Sequence, residues 1–333
     1  MTFFPVQSSL LDARALVHQV LSDYDLPEPI SCKLYLRGDN DTYLVQAGDQ
    51  THYLRVYTHK SEQEYHLRIA TEIDLLEIAH AAGVPVARAL PRKDGSYLNL
   101  LSAPEGIRPA VLFEGVPGVP PERNLTPEQA RAYGKAVGEL HKAWMVDQVL
   151  PLPVYDAVAV MEEPLRRLEP YLQDRPEDFA FLQRTADLAS IYFSQLPDHA
   201  AAYGVIHGDL HKTNVLITET GDLHLIDFTT VGYGWRAHEL AVLLWSTALV
   251  SDFEPRKFPQ VFEAYLEGYE SVRPLDEAER RALPHLAAAQ HLWIMGVEVD
   301  LVESGRSDTH WITSQGWLDQ WIGWLRAWVR LHE

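Results

Sequence analysis

Val205-Ile-His-Gly-Asp-Leu-His-Lys-Thr-Asn-Val-Leu-Ile-Thr218, then Glu219-Thr-Gly-Asp222, then Leu223-His-Leu-Ile-Asp227-Phe228, is the stretch that decides how this chain folds. VLIT and LHLID are short apolar runs separated by four turn-forming residues, so they are expected to pair as an antiparallel hairpin. Pairing Thr218 with Leu223 sets Asn214 opposite Asp227 at the hairpin's open end. An amide oxygen and a carboxylate held together there are hard oxygen ligands, suited to Mg2+ carrying substrate phosphates. Asp209 lies on the loop that feeds this point, where it can accept a proton from an attacking hydroxyl. Each residue alone has an ordinary alternative: a loop cap for Asp209, a turn former for Asn214, a strand-end hydrogen bonder for Asp227. Their joint order, with His207, Gly208, His211 and Phe228, favours a functional site.

Outward from this island the texture changes twice. Upstream, residues 10–21 carry apolar positions at helical spacing. From residue 30 to 57 the segments SCKLYL, TYLVQA and THYLRVYT, separated by GDND and GDQ, read as an antiparallel meander. Residues 62–82 return to a helical period that ends at Gly83 with Pro85 beyond, and a further strand pair is expected over 87–101 and 109–115. Residues 1–113 thus form a small α+β unit with a sheet and helices. EGVPGVPP, 114–121, has the composition of a linker or hinge, and 122–333 are mainly helical. Thr126-Pro127-Glu128-Gln129 has the form of a capping box with proline at the first helical position, opening a helix to about Met145. Helical patterns continue over 155–196 and from Trp235 onward. The expected class is α+β, a small β-rich N-lobe and a larger helical C-lobe.

A chain of 333 residues is too long for one minimal core and suits two lobes. With 28 Lys and Arg against 47 Asp and Glu, its formal charge is −19, which argues against nucleic acid or an anionic membrane as partner. An acidic surface that serves solubility explains the same number. The single cysteine, Cys32, excludes an intrachain disulfide and a cysteine-rich metal site and fits a reducing compartment. The N-terminus lacks a basic stretch followed by a long apolar run, and the apolar segment 239–250 is too short to span a bilayer, so a cytoplasmic protein is expected.

IHGDLHKTNVLI followed by LHLIDF resembles the catalytic core of the aminoglycoside phosphotransferase and choline kinase-like family, relatives of the protein kinases with the same two-lobed fold. GDNDTYLV, YLRVYT, a helix containing Glu72, GVPVARAL and VLFEGVPG resemble that family's N-lobe in order. The resemblance implies a phosphotransferase that uses ATP or GTP with Mg2+ and an alcohol acceptor. It makes Asp209 the catalytic base and Asn214 and Asp227 the metal ligands. Leu112, Phe113, Glu114 and Gly115 become the hinge that meets adenine, and Asn40 lies in a turn like the phosphate-covering one. His211 stands where relatives place a cation near the γ-phosphate, and scaffolding of the loop is an equal reading for His207 and His211. Phosphoryl transfer asks mainly for alignment and charge neutralisation, which such a set supplies.

Three positions depart from the family's pattern. Arg55, with Glu72 as its helix partner, stands where lysine is usual; it keeps the charge, but a planar fork is not an ammonium. Thr229-Thr230 follow Asp227-Phe228 where relatives have acidic residues. Glu239 replaces an aspartate that braces the loop. For the acceptor, Trp293, Asp300 and Glu303 share a helix face by spacing and would suit an ammonium-bearing molecule, aminoglycoside-, choline- or homoserine-like, although ordinary solvated acids fit that face too. Trp317, Trp321, Trp324 and Trp328 read as a packing seam. A bacterial Ser/Thr protein kinase and a nucleotide-binding pseudokinase are the alternative functions, the first weakened by the short span between Phe228 and Ala237.

Overall fold

The computed structural model describes residues 4–6, 8–58, 62–121, 125–146, 148–249, 258–305 and 315–332. Helix α1 (Ala13–Gln19) starts at Asp12, whose side chain accepts from the Ala15 amide at 2.8 Å, a cap that satisfies one of the helix's free donors. Strands β1 (Ile30–Arg37), β2 (Asp41–Ala47) and β3 (Gln50–Val56) form the expected meander. After α2 (Glu62–Ala81), β4 (Asn99–Ala103) and β5 (Gly106–Glu114) complete an antiparallel sheet in the order β1-β2-β3-β5-β4.

The strand expected over 87–101 is mostly absent. Residues 92–96 turn back on themselves, with the Arg92 amide donating to the Ser96 carbonyl and the Ser96 amide to Asp94. The segment before them serves other partners: Leu90 donates to the Leu112 carbonyl, and Ala87 and Leu225 join the N-terminal part to the central hairpin.

The sheet's two faces make two cores because alternate residues of a strand point opposite ways. Leu54, Val56, Ala110 and Leu112 are buried against α1 with Leu16 and Val20. Tyr57, Val111 and Phe113 join Ile69, Ile73 and Leu76 of α2 in a cluster that continues into the C-lobe. Each fully buried Leu or Val contributes roughly 1.5–3 kcal/mol from area alone.

The C-terminal part is built from α3 (Pro127–Ala143), α4 (Glu163–Leu168), α5 (Pro176–Ser194), α6 (Arg236–Leu244), α7 (Phe258–Glu270), α8 (Glu277–Glu303) and α9 (Gln315–His332). The capping box of α3 is present: Thr126 Oγ1 accepts from Gln129 at 3.2 Å and Gln129 accepts from the Thr126 amide at 2.9 Å. Trp317 and Trp328 are buried in the core, as a packing seam requires. Residues 239–249 are the end of α6 and a π-helix (Trp245–Leu249), and position 250 lies outside the described residues. No described helix is long and apolar enough to cross a membrane.

Short strands β6 (Tyr203–Ile206), β7 (Val215–Ile217), β8 (Leu223–Leu225) and β9 (Gly232–Trp235) lie among these helices, with β6 paired to β9 and β7 to β8. The β7–β8 register differs by one residue from the expected one: Ile217 pairs with Leu223, so Ile226 rather than Asp227 stands opposite Asn214. The cause is the turn. The Thr218 amide donates to the Asp222 carbonyl at 2.8 Å, closing a three-residue loop in which Gly221 takes φ +91° and Thr220 donates to Asp222.

Candidate active site

The alternation that buries Leu54 and Val56 on one face turns Arg55 to the other, towards α2 and the hairpin. Its Nη1 lies 2.8 Å from Glu72 Oε1 and its Nη2 3.1 Å from Asp227 Oδ1. Phe113 lies under the guanidinium, 4.7 Å from ring centroid to Cζ, and Tyr57 donates to the second Glu72 oxygen at 3.0 Å. Burial pushes the Glu72 carboxyl up, and the Arg55 charge and the Tyr57 hydroxyl only partly offset it.

Asp227 leaves the hairpin with φ +64° and ψ +66°, a left-handed conformation that costs a non-glycine residue roughly 1–3 kcal/mol. This turn, not strand pairing, brings its carboxylate to the open end of the hairpin. Thr229 Oγ1 donates to Oδ1 at 2.9 Å. Burial raises the Asp227 carboxyl, but Arg55 and Thr229 outweigh it and hold it below the usual range.

Asn214 donates its amide nitrogen to the Asp209 carbonyl at 2.8 Å, which locks the loop between them and leaves its amide oxygen for another partner. Asp209 Oδ2 lies 3.4 Å from His211 Nε2, and its Oδ1 is buried with no hydrogen-bond partner among the described residues. His211 Nδ1 accepts from the Thr213 amide, so Nε2 carries the proton facing Asp209. Burial alone would lower this imidazole; the bond to Asp209 and its charge raise it overall.

Of the two readings of His207, a catalytic contact and a scaffold of the loop, its contacts fit the scaffold. It is fully buried, its Nε2 bonds the Ile226 carbonyl at 3.0 Å, its Nδ1 accepts from the Asp209 amide at 3.3 Å, and its ring packs on Phe228. Both nitrogens hold backbone, so it positions the loop. Glu239 braces the same loop from below: its buried carboxylate accepts from the amides of His207 and Gly208, and burial pushes its pKa up to about 7. Sequence reasoning singled out that brace but missed Tyr155, whose hydroxyl donates to the Thr230 carbonyl at 2.6 Å, and Thr230, whose hydroxyl donates to the His207 carbonyl at 2.9 Å. An isolated tyrosine beyond a proline-rich stretch carries no signal of such a contact.

The residues expected to meet adenine are already engaged. Leu112 is buried in the N-terminal core and its carbonyl accepts from Leu90; the Glu114 amide donates to Arg88, and the Gly115 amide to Thr51 at 2.9 Å. A Cβ on Gly115 would stand 2.4 Å from the Thr51 carbonyl oxygen, so glycine is what lets the chain leave the sheet there. The segment then pairs Val119 with Ile217 of β7. Asn40 is turned inward as well: its side chain accepts from the Thr58 amide at 3.2 Å and pins the β1–β2 turn to the end of β3.

Of the acceptor residues expected on α8, Trp293 packs edge-on against Tyr155 at 5.9 Å and so touches the support of the loop. Asp300 and Glu303 lie about 10 Å or more farther along the helix axis. Asp300 is ion-paired with Arg167 at 3.4 Å and Glu303 accepts from Tyr171 at 2.8 Å, both near the surface. The three do not form one cage.

The donor set fits Mg2+: the Asn214 amide oxygen and the Asp227 carboxylate are hard oxygen ligands, and no group of three or more His, Cys, Asp or Glu that could hold a metal by itself occurs among the described residues. Mg2+ commonly binds in this way, through one or two protein oxygens plus substrate phosphates.

Comparison with known proteins agrees. An uncharacterized protein of Deinococcus radiodurans is 34% identical over 294 residues, covering 88% of this chain and 84% of its own length. The homoserine kinase of Phenylobacterium zucineum is 28% identical over 284 residues, covering 81% and 79%. Among solved structures, a microcompartment-associated aminopropanol kinase matches with TM-score 0.75 at 24% identity, covering 96% of both chains. Amicoumacin kinase in complex with AMP-PNP, Ca2+ and Ami matches with TM-score 0.74 at 21% identity, covering 95% and 94%. These structural likenesses establish the two-lobed kinase fold. The model of the phosphotransferase enzyme family, APH, matches residues 36–275, and this chain belongs to that family.

Proposed function

We propose that this protein moves the γ-phosphoryl group of ATP or GTP to a hydroxyl of a small, amine-bearing molecule. The observation that carries the reading is Arg55 joined at once to Glu72 and Asp227, which sets the N-lobe cation beside the metal-ligand position. Residues 1–113 serve as the nucleotide-binding lobe, 114–121 as the hinge and 122–333 as the lobe that carries the base and the acceptor. Asn214 and Asp227 would hold Mg2+, which when bound neutralises charge on the phosphates.

Asp209, held by His207, Asn214 and the Glu239 brace, takes the proton of the acceptor hydroxyl. The hydroxyl oxygen forms its bond to the γ-phosphorus as the bond to the β–γ bridging oxygen breaks, and the nucleoside diphosphate leaves. Arg55 meets the phosphates, and His211 faces Asp209 with its Nε2 proton and orients the carboxylate. The homoserine kinase relative supports a hydroxylated amine as acceptor, and the AMP-PNP and Ca2+ in the amicoumacin kinase structure support a nucleotide with a divalent ion. Trp293 remains an acceptor-side residue through Tyr155; Asp300 and Glu303 have the weaker claim.

Mg2+-dependent nucleotide consumption against aminoglycosides, choline, homoserine, amino alcohols and sugars tests the reading, with Asp209→Ala beside the wild type. Transfer to one acceptor class, lost at least about 100-fold in the variant with nucleotide affinity retained, is expected. Equal turnover by both proteins would reject it.

A further inference from the structure

Arg68 stands on α2 one turn before Glu72 and so faces the same way, towards the cleft. It is half-buried, and among the described residues it has no hydrogen bond or ion pair, although the chain is strongly acidic. Its side chain lines a small cleft with Tyr65, Glu72, Leu152, Phe228, Thr229 and Val231, beside the strand of residues that follows Asp227. Its charge reaches the Tyr155 hydroxyl, which burial raises and which also senses Asp209.

Arg55 is already committed to Glu72 and Asp227 on the phosphate side. Arg68 instead opens onto the cleft that Leu152 and the residues after Asp227, Phe228, Thr229 and Val231, also line. A half-buried guanidinium with no partner among the described residues offers its donors to an anion, and a planar carboxylate matches that fork.

We infer that Arg68 is a specificity residue that binds an anionic oxygen group of the acceptor, so that the acceptor is a hydroxylated molecule bearing a carboxylate. The inference rests on the kinase reading above and narrows it. A phosphate of the nucleotide has the same chemistry, and the two sources part in their effects.

The test uses L-homoserine and 3-aminopropan-1-ol, which differ by the carboxylate, with wild type, Arg68→Gln and Arg68→Lys. Binding is measured by calorimetry in the presence of Mg-AMP-PNP, and turnover with Mg-ATP. The expected result is preference for homoserine, a roughly 10- to 100-fold loss of kcat/KM for it in Arg68→Gln, carried by KM, and partial recovery in Arg68→Lys. The KM for ATP and any turnover of 3-aminopropan-1-ol stay unchanged. A raised KM for ATP, equal losses on both acceptors, equal binding of both, or no binding of homoserine overturns the inference and leaves the kinase reading standing if any acceptor is phosphorylated. Homoserine bound through Arg68 but phosphorylated by neither wild type nor variant, with no other acceptor turned over, upholds the binding site and sinks the kinase reading.

Discussion

Arg55 holds Glu72 through one guanidinium nitrogen at 2.8 Å and Asp227 through the other at 3.1 Å, so one side chain of β3 ties α2 to the residue that leaves β8. Two nitrogens pointing along separate directions make this possible, and a single ammonium could serve both carboxylates only by a compromise. An arginine at this position thus uses the geometry of its fork.

Arg55→Lys should therefore keep the pair with Glu72 and weaken the reach to Asp227. A fall in kcat of roughly 3- to 30-fold with little change in thermal stability is expected, since only one of the two charge-assisted contacts is lost. Arg55→Ala leaves the buried Glu72 with the Tyr57 hydroxyl but no countercharge, which should cost roughly 3–5 kcal/mol. Denaturant unfolding of the two variants separates these outcomes, and equal stability losses would mean that the Asp227 contact, not the Glu72 pair, supports the fold.

Glu239 gives a pH dependence with a definite sign. Its folded pKa, about 7, lies above the ordinary glutamate value, so between about pH 4.5 and 7 the folded state keeps a proton that the unfolded chain has released. Stability contributed by this group is full below that window, falls as pH rises through it and is level above. Activity should move the other way, because the ionised carboxylate is the better acceptor for the His207 and Gly208 amides. A kcat that rises through about pH 7 is expected, with the rise absent in Glu239→Gln; an unaltered profile in that variant would assign the titration elsewhere.

Tyr155→Phe removes the donor to the Thr230 carbonyl while keeping the ring that packs on Trp293 and under Gly208. Leaving that partly buried carbonyl unpaired should cost roughly 1 kcal/mol. Through Thr230, whose hydroxyl holds the His207 carbonyl, it should also lower kcat more than it raises the KM for nucleotide. Steady-state kinetics beside thermal unfolding checks both.

The parts legible in the sequence were those written in local pattern. The β1–β3 meander, the α3 capping box and the order of Asp209, Asn214 and Asp227 follow from alternation, turn residues and spacing. The expected strand over residues 87–101 failed because Arg92, Asp94 and Ser96 close a turn on themselves, and side-chain closure of that kind outweighs an apolar pattern. The hairpin register was missed by one because Gly221 supplies a left-handed residue, shortening the loop. What could not be read at all were pairings across long separations, such as Tyr155 with Thr230 or β6 with β9. Two residues on strands or loops far apart in sequence leave no periodic trace of their contact.

Gly208 tests whether Asp209, the proposed base, is held by backbone shape or by its hydrogen bonds alone. Its φ is +85°, and a Cβ there would stand 2.6 Å from the Thr230 carbonyl oxygen and 3.1 Å from the Tyr155 ring. Neither neighbour can yield cheaply: the Thr230 carbonyl is held by the Tyr155 hydroxyl, and Tyr155 is wedged between Trp293 and Gly232. In Gly208→Ala the left-handed backbone and the contact push together, so the segment from His207 to Asp209 must shift. A displacement of about 1 Å at the base is enough for a loss of roughly 100-fold in kcat. The Glu239 acceptor and the Asn214–Asp209 bond would remain available to a relaxed loop, so if the hydrogen bonds alone set the base, activity should survive within a few-fold. Measuring kcat beside the affinity for Mg-nucleotide, which Arg55 and Asp227 leave intact, distinguishes the two, and a variant that binds nucleotide normally but has lost transfer places the requirement in the shape of the loop.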